Sequence, residues 1–410
     1  MRSKGLTLQI IQLLITVIIL YTITAIVPRL ISTYLKTYFY LAVLALCVLL
    51  VMVSRGRSSI DEYVILIIPF AIWKVIIYFV DKPSLIDWGY SALLDFIPII
   101  LGLFITKRLD KKYIRYFSVV ILLAIFVTAL TTYIGLVENP DAARYMATVS
   151  DPNESKYIRY NMMNIGGYNF IYYTVLLYPL AVYAYKRGKI KTIVAAIIAV
   201  AEMLLTIQSG YTTAFLLWML STAFFFFNRD FKAKYLVAVI IIAVLIFLVL
   251  FELISQGFRS LAEIIDNKTI SERLIDLAGG KRGLEQSEDP RLELYMKSIN
   301  TFFAHPIFGS MGGGIGGHSF FLDNLGKYGL FGVVLFVPMY VVIYRKFYEP
   351  YRNTTGNGFI IWMFIQTLIL SLVNTGMWLY VLCFFIPTIL SSINKGEKKI
   401  EGSVGRKLNT

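Results

Sequence analysis

The sequence predicts an all-α, polytopic membrane protein, and three observations carry that prediction. Of its 410 residues, 58% are hydrophobic and only 16% are charged, whereas a soluble domain is about 45–50% apolar. The apolar residues gather in runs long enough to cross a bilayer as helices, which takes about 20 residues. The basic residues fall in clusters between alternate runs, the signature that orients membrane helices with their positive loops inside. That distribution accounts for the formal net charge of +14 and argues against a nucleic-acid partner.

The elements follow in chain order. Residues 1–27 join a basic head to an apolar run longer than the core of a signal peptide. They read as the first span, with the amino terminus inside. Further spans are expected at 36–53, 63–80, 91–106, 116–136, 168–185, 192–208, 211–227, 235–252, 319–343, 358–373 and 376–393. This makes about twelve in one transmembrane domain covering 1–410. Basic clusters at Arg55/Arg57, Lys107/Arg108/Lys111/Lys112, Lys186/Arg187/Lys189, Arg229/Lys232/Lys234, Arg345/Lys346 and Lys395/Lys398/Lys399 mark the inner side, and both termini come out cytoplasmic. Ser209-Gly210 and Asn374-Thr375-Gly376 read as tight outer turns. Cys47 and Cys383 lie within spans as small hydrophobes, without disulfide or metal-ligand spacing.

Two outer loops exceed turn length, at about 137–167 and 253–318, and long loops are usually functional. In the larger loop, Phe258, Leu261, Ile264, Ile265, Leu274 and Leu277 form an apolar stripe beside charged residues. That pattern suits helices lying on the membrane or capping a cavity. Asp289-Pro290 then reads as an N-cap with proline at the first helical position. Leu292, Tyr295, Met296, Ile299, Phe302 and Phe303 supply one apolar face, and Pro306 stops the helix.

Polar chemistry concentrates between Arg291 and Gly332, a stretch holding both histidines. Arg291 falls in a first helical turn, where the dipole favours anions. It is either a surface arginine paired with Glu288 or Asp289, or a cation holding an anion presented at the same helix end. His318, at the membrane boundary, either packs in a turn or exchanges a proton or hydrogen bond with a ligand near neutral pH. His305 suits a helix C-terminus. The glycines between Gly309 and Gly317 either let backbone approach a ligand or give a flexible return to the membrane. With no Lys-Ser/Thr after them they are not a nucleotide P-loop. Asp323 and Lys327 are spaced for an intrahelical pair; alternatively, Asp323 orients His318 or acts as a base. Lys74, Asp95 and Glu202 fall in or near spans, where charge is costly and defaults to paired or functional roles. In the smaller loop, Lys156, Arg159, Tyr157 and Tyr160 suit a sugar-phosphate ligand or an ordinary solvated loop. No HExxH, GxSxG or cysteine–histidine metal set is present.

The run from Arg291 through HPIFG, the glycine patch and GGHSFFLDNLGKYGLFG into a span resembles the O-antigen ligase/polymerase superfamily, which includes Wzy-type polysaccharide polymerases. About twelve spans with a large outer loop between the ninth and tenth match over most of the chain. The chain departs at the turn after the seventh span, where many relatives carry an arginine beside the serine and this one reads Gln208-Ser209-Gly210.

The resemblance implies a GT-C-like fold and a metal-independent glycosyltransferase with no cofactor. It would act on undecaprenyl-pyrophosphate-linked oligosaccharide at the outer face of a bacterial cytoplasmic membrane, making O-antigen, capsule or exopolysaccharide. It implies His318 as the activating or phosphate-contacting histidine and Arg291 as the pyrophosphate-holding arginine. Arg159 and Arg273 would be further cations, and Gly316, Gly317 and Asp323 would complete the substrate-binding side. A flippase and a chain-length regulator are the expected protein partners. The alternatives are an O-antigen ligase with a different acceptor and, from another class, a flippase for the lipid-linked unit, which would show charge-lined helices and internal repeats.

Overall fold

The computed structural model describes residues 2–31, 33–54, 62–81, 95–149, 151, 153–227, 256–265, 271, 275, 290–352, 354–376 and 378–394. Among these, the regular structure is helical and includes no strand. The expected ninth span at 235–252 lies outside the described residues, as do the basic clusters at 55–57, 229–234 and 395–399 and much of the larger loop.

The first helices are α1 (Arg2–Ile23), α2 (Ile26–Leu30), α3 (Thr33–Ser54), α4 (Glu62–Asp81), α5 (Ile97–Arg108) and α6 (Lys111–Glu138). The connection from α6 holds α7 (Ala142–Thr148) and α8 (Ser155–Met162), and α9 (Tyr168–Lys186), α10 (Thr192–Ser209) and α11 (Thr212–Phe227) follow. After a helical stretch at 256–264 come α12 (Pro290–Ala304), α13 (Phe320–Ile343), α14 (Asn357–Val373) and α15 (Ile386–Asn394), with wider π turns at Tyr344–Tyr348 and Tyr380–Phe385.

Among the described residues, three stretches are long and apolar enough to cross a membrane: Lys111–Glu138, Thr192–Ser209 and Phe320–Tyr351. Shorter apolar helices accompany them. Side-chain exposure separates lipid-facing from core-facing positions. On α10, Ile193, Ile197, Val200 and Leu204 are exposed at helical spacing, while Glu202, Leu205, Thr206 and Ser209 are buried. An apolar stripe turned outward on a helix of this length fits contact with lipid. On α9, nearly every residue from Phe170 to Ala184 is buried, the pattern of a helix surrounded by others.

Polar side chains mend the places where helices break. Pro179 has no amide for the Val175 carbonyl within α9. Gln366 of α14 donates nearby instead, with Nε2 2.8 Å from the Leu176 carbonyl. Its Oε1 lies 2.9 Å from Ser221 Oγ of α11, which accepts Trp362 Nε1–H at 2.8 Å. Between α1 and α2, the amides of Ala25 and Ile26 donate to Asn164 Oδ1. Asn164 in turn donates to Thr128 and Thr131 of α6. Lys74 of α4 pairs with Asp95, and Glu202 accepts from Thr174 Oγ1 at 2.7 Å. The charged groups in and beside these apolar helices are thus bound to partners within the protein.

Candidate functional site

The site forms where α12, the glycine-rich segment and the start of α13 meet. Leu294, Ser298 and Thr301 recur at helical spacing and turn one face of α12 toward the glycines. At Gly316, a Cβ would stand 1.9 Å from the Leu294 carbonyl oxygen, so only glycine lets the two backbones approach this closely. The Gly316 amide donates to Ser298 Oγ at 2.8 Å, and Thr301 Oγ1 donates to the Gly314 carbonyl at 2.5 Å.

Asp323 is the centre of this junction. Its buried carboxylate accepts Ser298 Oγ–H at 2.6 Å and the Gly317 amide at 3.1 Å on Oδ1, and the Ser319 amide at 3.1 Å on Oδ2. Ser319 caps α13 by accepting the Leu322 amide at 3.2 Å. The two side chains thus close the helix start reciprocally, as in a capping box. A carboxylate in a first turn also gains from the helix dipole. His318 lies between the two residues whose amides Asp323 holds. Its side chain is exposed, so the histidine is presented outward from a fixed backbone.

A second connection reaches the turn at 374–376. The Phe320 amide donates to the Asn374 carbonyl at 2.8 Å, Tyr168 donates to Asn374 Oδ1, and Tyr295 donates to the Val373 carbonyl at 3.1 Å. Tyr168, Tyr172 and Tyr211 pack together, and the first two also meet Trp378. Tyr211 donates to the Ala143 carbonyl at 2.8 Å, and Arg144 Nη2 donates to the Gly210 carbonyl at 2.8 Å. The Gln208-Ser209-Gly210 turn therefore has a guanidinium beside it, supplied by α7.

The expected site residues fall as follows. Gly316, Gly317, His318 and Asp323 form one junction. Arg291 stands in the first turn of α12, one turn before Leu294 and hence about 5 Å along the axis from the Gly316 contact. Arg159 is exposed in the last turn of α8, whose Lys156 lies 4.6 Å from the Tyr145 ring centre. Arg273 lies outside the described residues. Sequence reasoning missed Ser298, Thr301, Tyr168, Asn374 and Arg144. The spacing of Ser298 and Thr301 opposite the apolar face of α12 was a usable signal; the long-range partners had none.

Among known proteins, the chain matches no protein-family model and no curated protein.

Proposed function

We propose that the chain is a polysaccharide polymerase of the Wzy type, with about twelve spans and both termini cytoplasmic. It would join undecaprenyl-pyrophosphate-linked repeat units at the outer face of a bacterial cytoplasmic membrane. The observation that carries this reading is the junction itself: an exposed histidine on a clamped backbone, two residues after Gly316, whose contact with Leu294 lies about one turn of α12 from Arg291. The resemblance over Arg291 to Gly332 supports it.

In this reading, an acceptor hydroxyl attacks the anomeric carbon of the donor and His318 takes its proton. The bond from that carbon to the pyrophosphate oxygen breaks, and the electron pair leaves with the lipid pyrophosphate. Arg291 meets the charge as it develops, with Arg159 and Arg273 as further cations; electrostatic stabilisation of this kind often contributes more to catalysis than any other effect. A guanidinium suits phosphate oxygens through paired hydrogen bonds. Asp323 positions the histidine through the backbone, and the lipid tail stays in the bilayer.

One observation favours a flippase instead: α13 is broken at Gly329 (φ 63°, ψ −167°), and discontinuous helices form many transport sites. At that break, however, the Gly326 and Lys327 carbonyls and the Leu330 and Phe331 amides are engaged with the 306–311 segment, which argues for a structural role of the break. A ligase shares the donor chemistry and differs in acceptor. Reconstitution into liposomes with a lipid-linked repeat unit separates the three. A polymerase yields a ladder of lengthening chains, a ligase yields product only with a second acceptor, and a flippase moves the unit without making a glycosidic bond.

A further inference from the structure

We infer that the segment joining α12 to the glycine patch, His305 to Met311, is a re-entrant element backed by α13 at membrane depth, with its apolar side chains against lipid acyl chains, rather than part of a loop in water. The inference is independent of the proposed chemistry and rests on backbone pairing, on exposure and on depth.

The segment lies along the break in α13 and pairs with it. The Ser310 and Met311 amides donate to the Gly326 and Lys327 carbonyls, at 3.0 and 3.1 Å. The Leu330 and Phe331 amides donate back to the Pro306 and Ile307 carbonyls, each at 2.9 Å. The His305 amide bonds the end of α12, and the Gly309 amide bonds the His305 carbonyl. Gly329 takes a positive φ, and a Cβ there would stand 2.4 Å from the Ile307 oxygen, so this pairing requires glycine. A loop in water can leave its polar groups to solvent, whereas non-helical backbone at membrane depth must satisfy them within the protein.

The side chains point the opposite way. Ile307 is 61% exposed, Phe303 at the end of α12 is 72% exposed, and Phe308 is exposed while one side touches Trp73 and Phe331. On α13, Leu330, Phe331, Val334, Val337 and Val341 form an outward stripe, with Val334 69% exposed. Because the Phe331 amide bonds the Ile307 carbonyl, the exposed residues of the segment continue that stripe sideways. Water would disfavour such a face, by about 25 cal/mol for each Å² of apolar surface.

Depth is consistent with this. Arg345 and Lys346 mark the far end of the same helical run. Phe331 precedes Arg345 by 14 residues, about 21 Å of helix. With a hydrocarbon layer of about 30 Å, Phe331 and Ile307 lie about 9 Å inside the opposite boundary.

The test uses nitroxide labels on Ile307→Cys, Phe303→Cys, Val334→Cys and Gly313→Cys in liposomes. Accessibility is read by power saturation with oxygen, which concentrates in lipid, and with a water-soluble nickel chelate. Cys47 and Cys383 are buried, so the unsubstituted protein serves as the unlabelled control. Gly313 is exposed with open space around it and reports the aqueous side. The expected result is that labels at 303 and 307 respond as at 334, favouring oxygen at least several-fold over the chelate relative to 313. If 303 and 307 respond as 313 does, the segment is in water and the inference is wrong. Having two reporters keeps the test decisive if one variant does not fold.

Discussion

Replacing Asp323 by alanine removes the acceptor that fixes the backbone on both sides of His318. Three donors lose their partner: the Ser298 hydroxyl and the Gly317 and Ser319 amides. Hydrogen bonds to a charged group contribute about 1.5–3 kcal/mol each, but the three losses are unequal. Gly317 is exposed, so water replaces the carboxylate there. Ser298 is buried, yet its hydroxyl can turn toward a carbonyl of its own helix. Ser319 is buried, and its amide bonds no other acceptor among the described residues. The net local cost is therefore about 3 kcal/mol, mostly one orphaned amide and one lost charge-assisted bond. At about 1.4 kcal/mol per tenfold, local opening becomes about a hundredfold more frequent. Amide hydrogen exchange in detergent or nanodiscs measures it directly. Peptides covering 316–322 should exchange about a hundredfold faster in the Asp323→Ala protein, with those from α9 and α14 unchanged. Unchanged exchange at 316–322, or uniform loosening of the whole protein, would refute the clamp.

Further perturbations test other parts of the structure. Gly329→Ala forces a side chain into a positive φ and against the Ile307 carbonyl; it should cost more than about 1 kcal/mol and lower the thermal midpoint read by intrinsic fluorescence. Gln366→Leu takes the side-chain donor from the Leu176 carbonyl and one acceptor from Ser221, which keeps its bonds to Trp362 and Leu217, and should destabilise by about 1–3 kcal/mol in the same melt. Asp95→Asn leaves the buried Lys74 ammonium without its counter-charge, whereas Lys74→Met leaves Asp95, whose side chain is 35% exposed. The first should cost about 3 kcal/mol and the second less, with the double variant recovering part of the loss.

The helices were largely legible because lipid selects on composition. A run such as 319–343 reads as a span, and α13 occupies Phe320–Ile343. The start of α12 at Pro290 was also readable, because proline at the first helical position is a local rule. The break at Gly329 was not. A single glycine within an apolar run looks like any other, and what selects its conformation is a carbonyl 22 residues earlier in the chain. The apolar face expected of α12 was visible as a pattern, but its direction was not. Phe303 and Met296 turn outward, since in a membrane the exposed side is also apolar. At the site, the cluster around His318 was visible by density of polar residues. Asp323 was legible as an intrahelical partner for Lys327, a residue orienting His318, a base or a substrate-binding residue, but not as the acceptor that joins α12 to α13. Its bond to Ser298 depends on α12 folding back over 25 residues, and its bonds to the Gly317 and Ser319 amides depend on the path of the chain into α13. Arg144 beside the Gln208-Ser209-Gly210 turn was invisible for the same reason: no local rule links residues 66 apart.

Whether the protein polymerises is decided by product formation in liposomes, with the purified protein supplied with its cognate undecaprenyl-pyrophosphate-linked repeat unit and the products resolved by electrophoresis. A ladder of lengthening lipid-linked chains is expected from the wild type. At least a hundredfold less product is expected from His318→Ala, with an unchanged thermal midpoint. Repeat units that remain single with the wild type, while the protein is folded and the donor intact, would contradict the proposed polymerase.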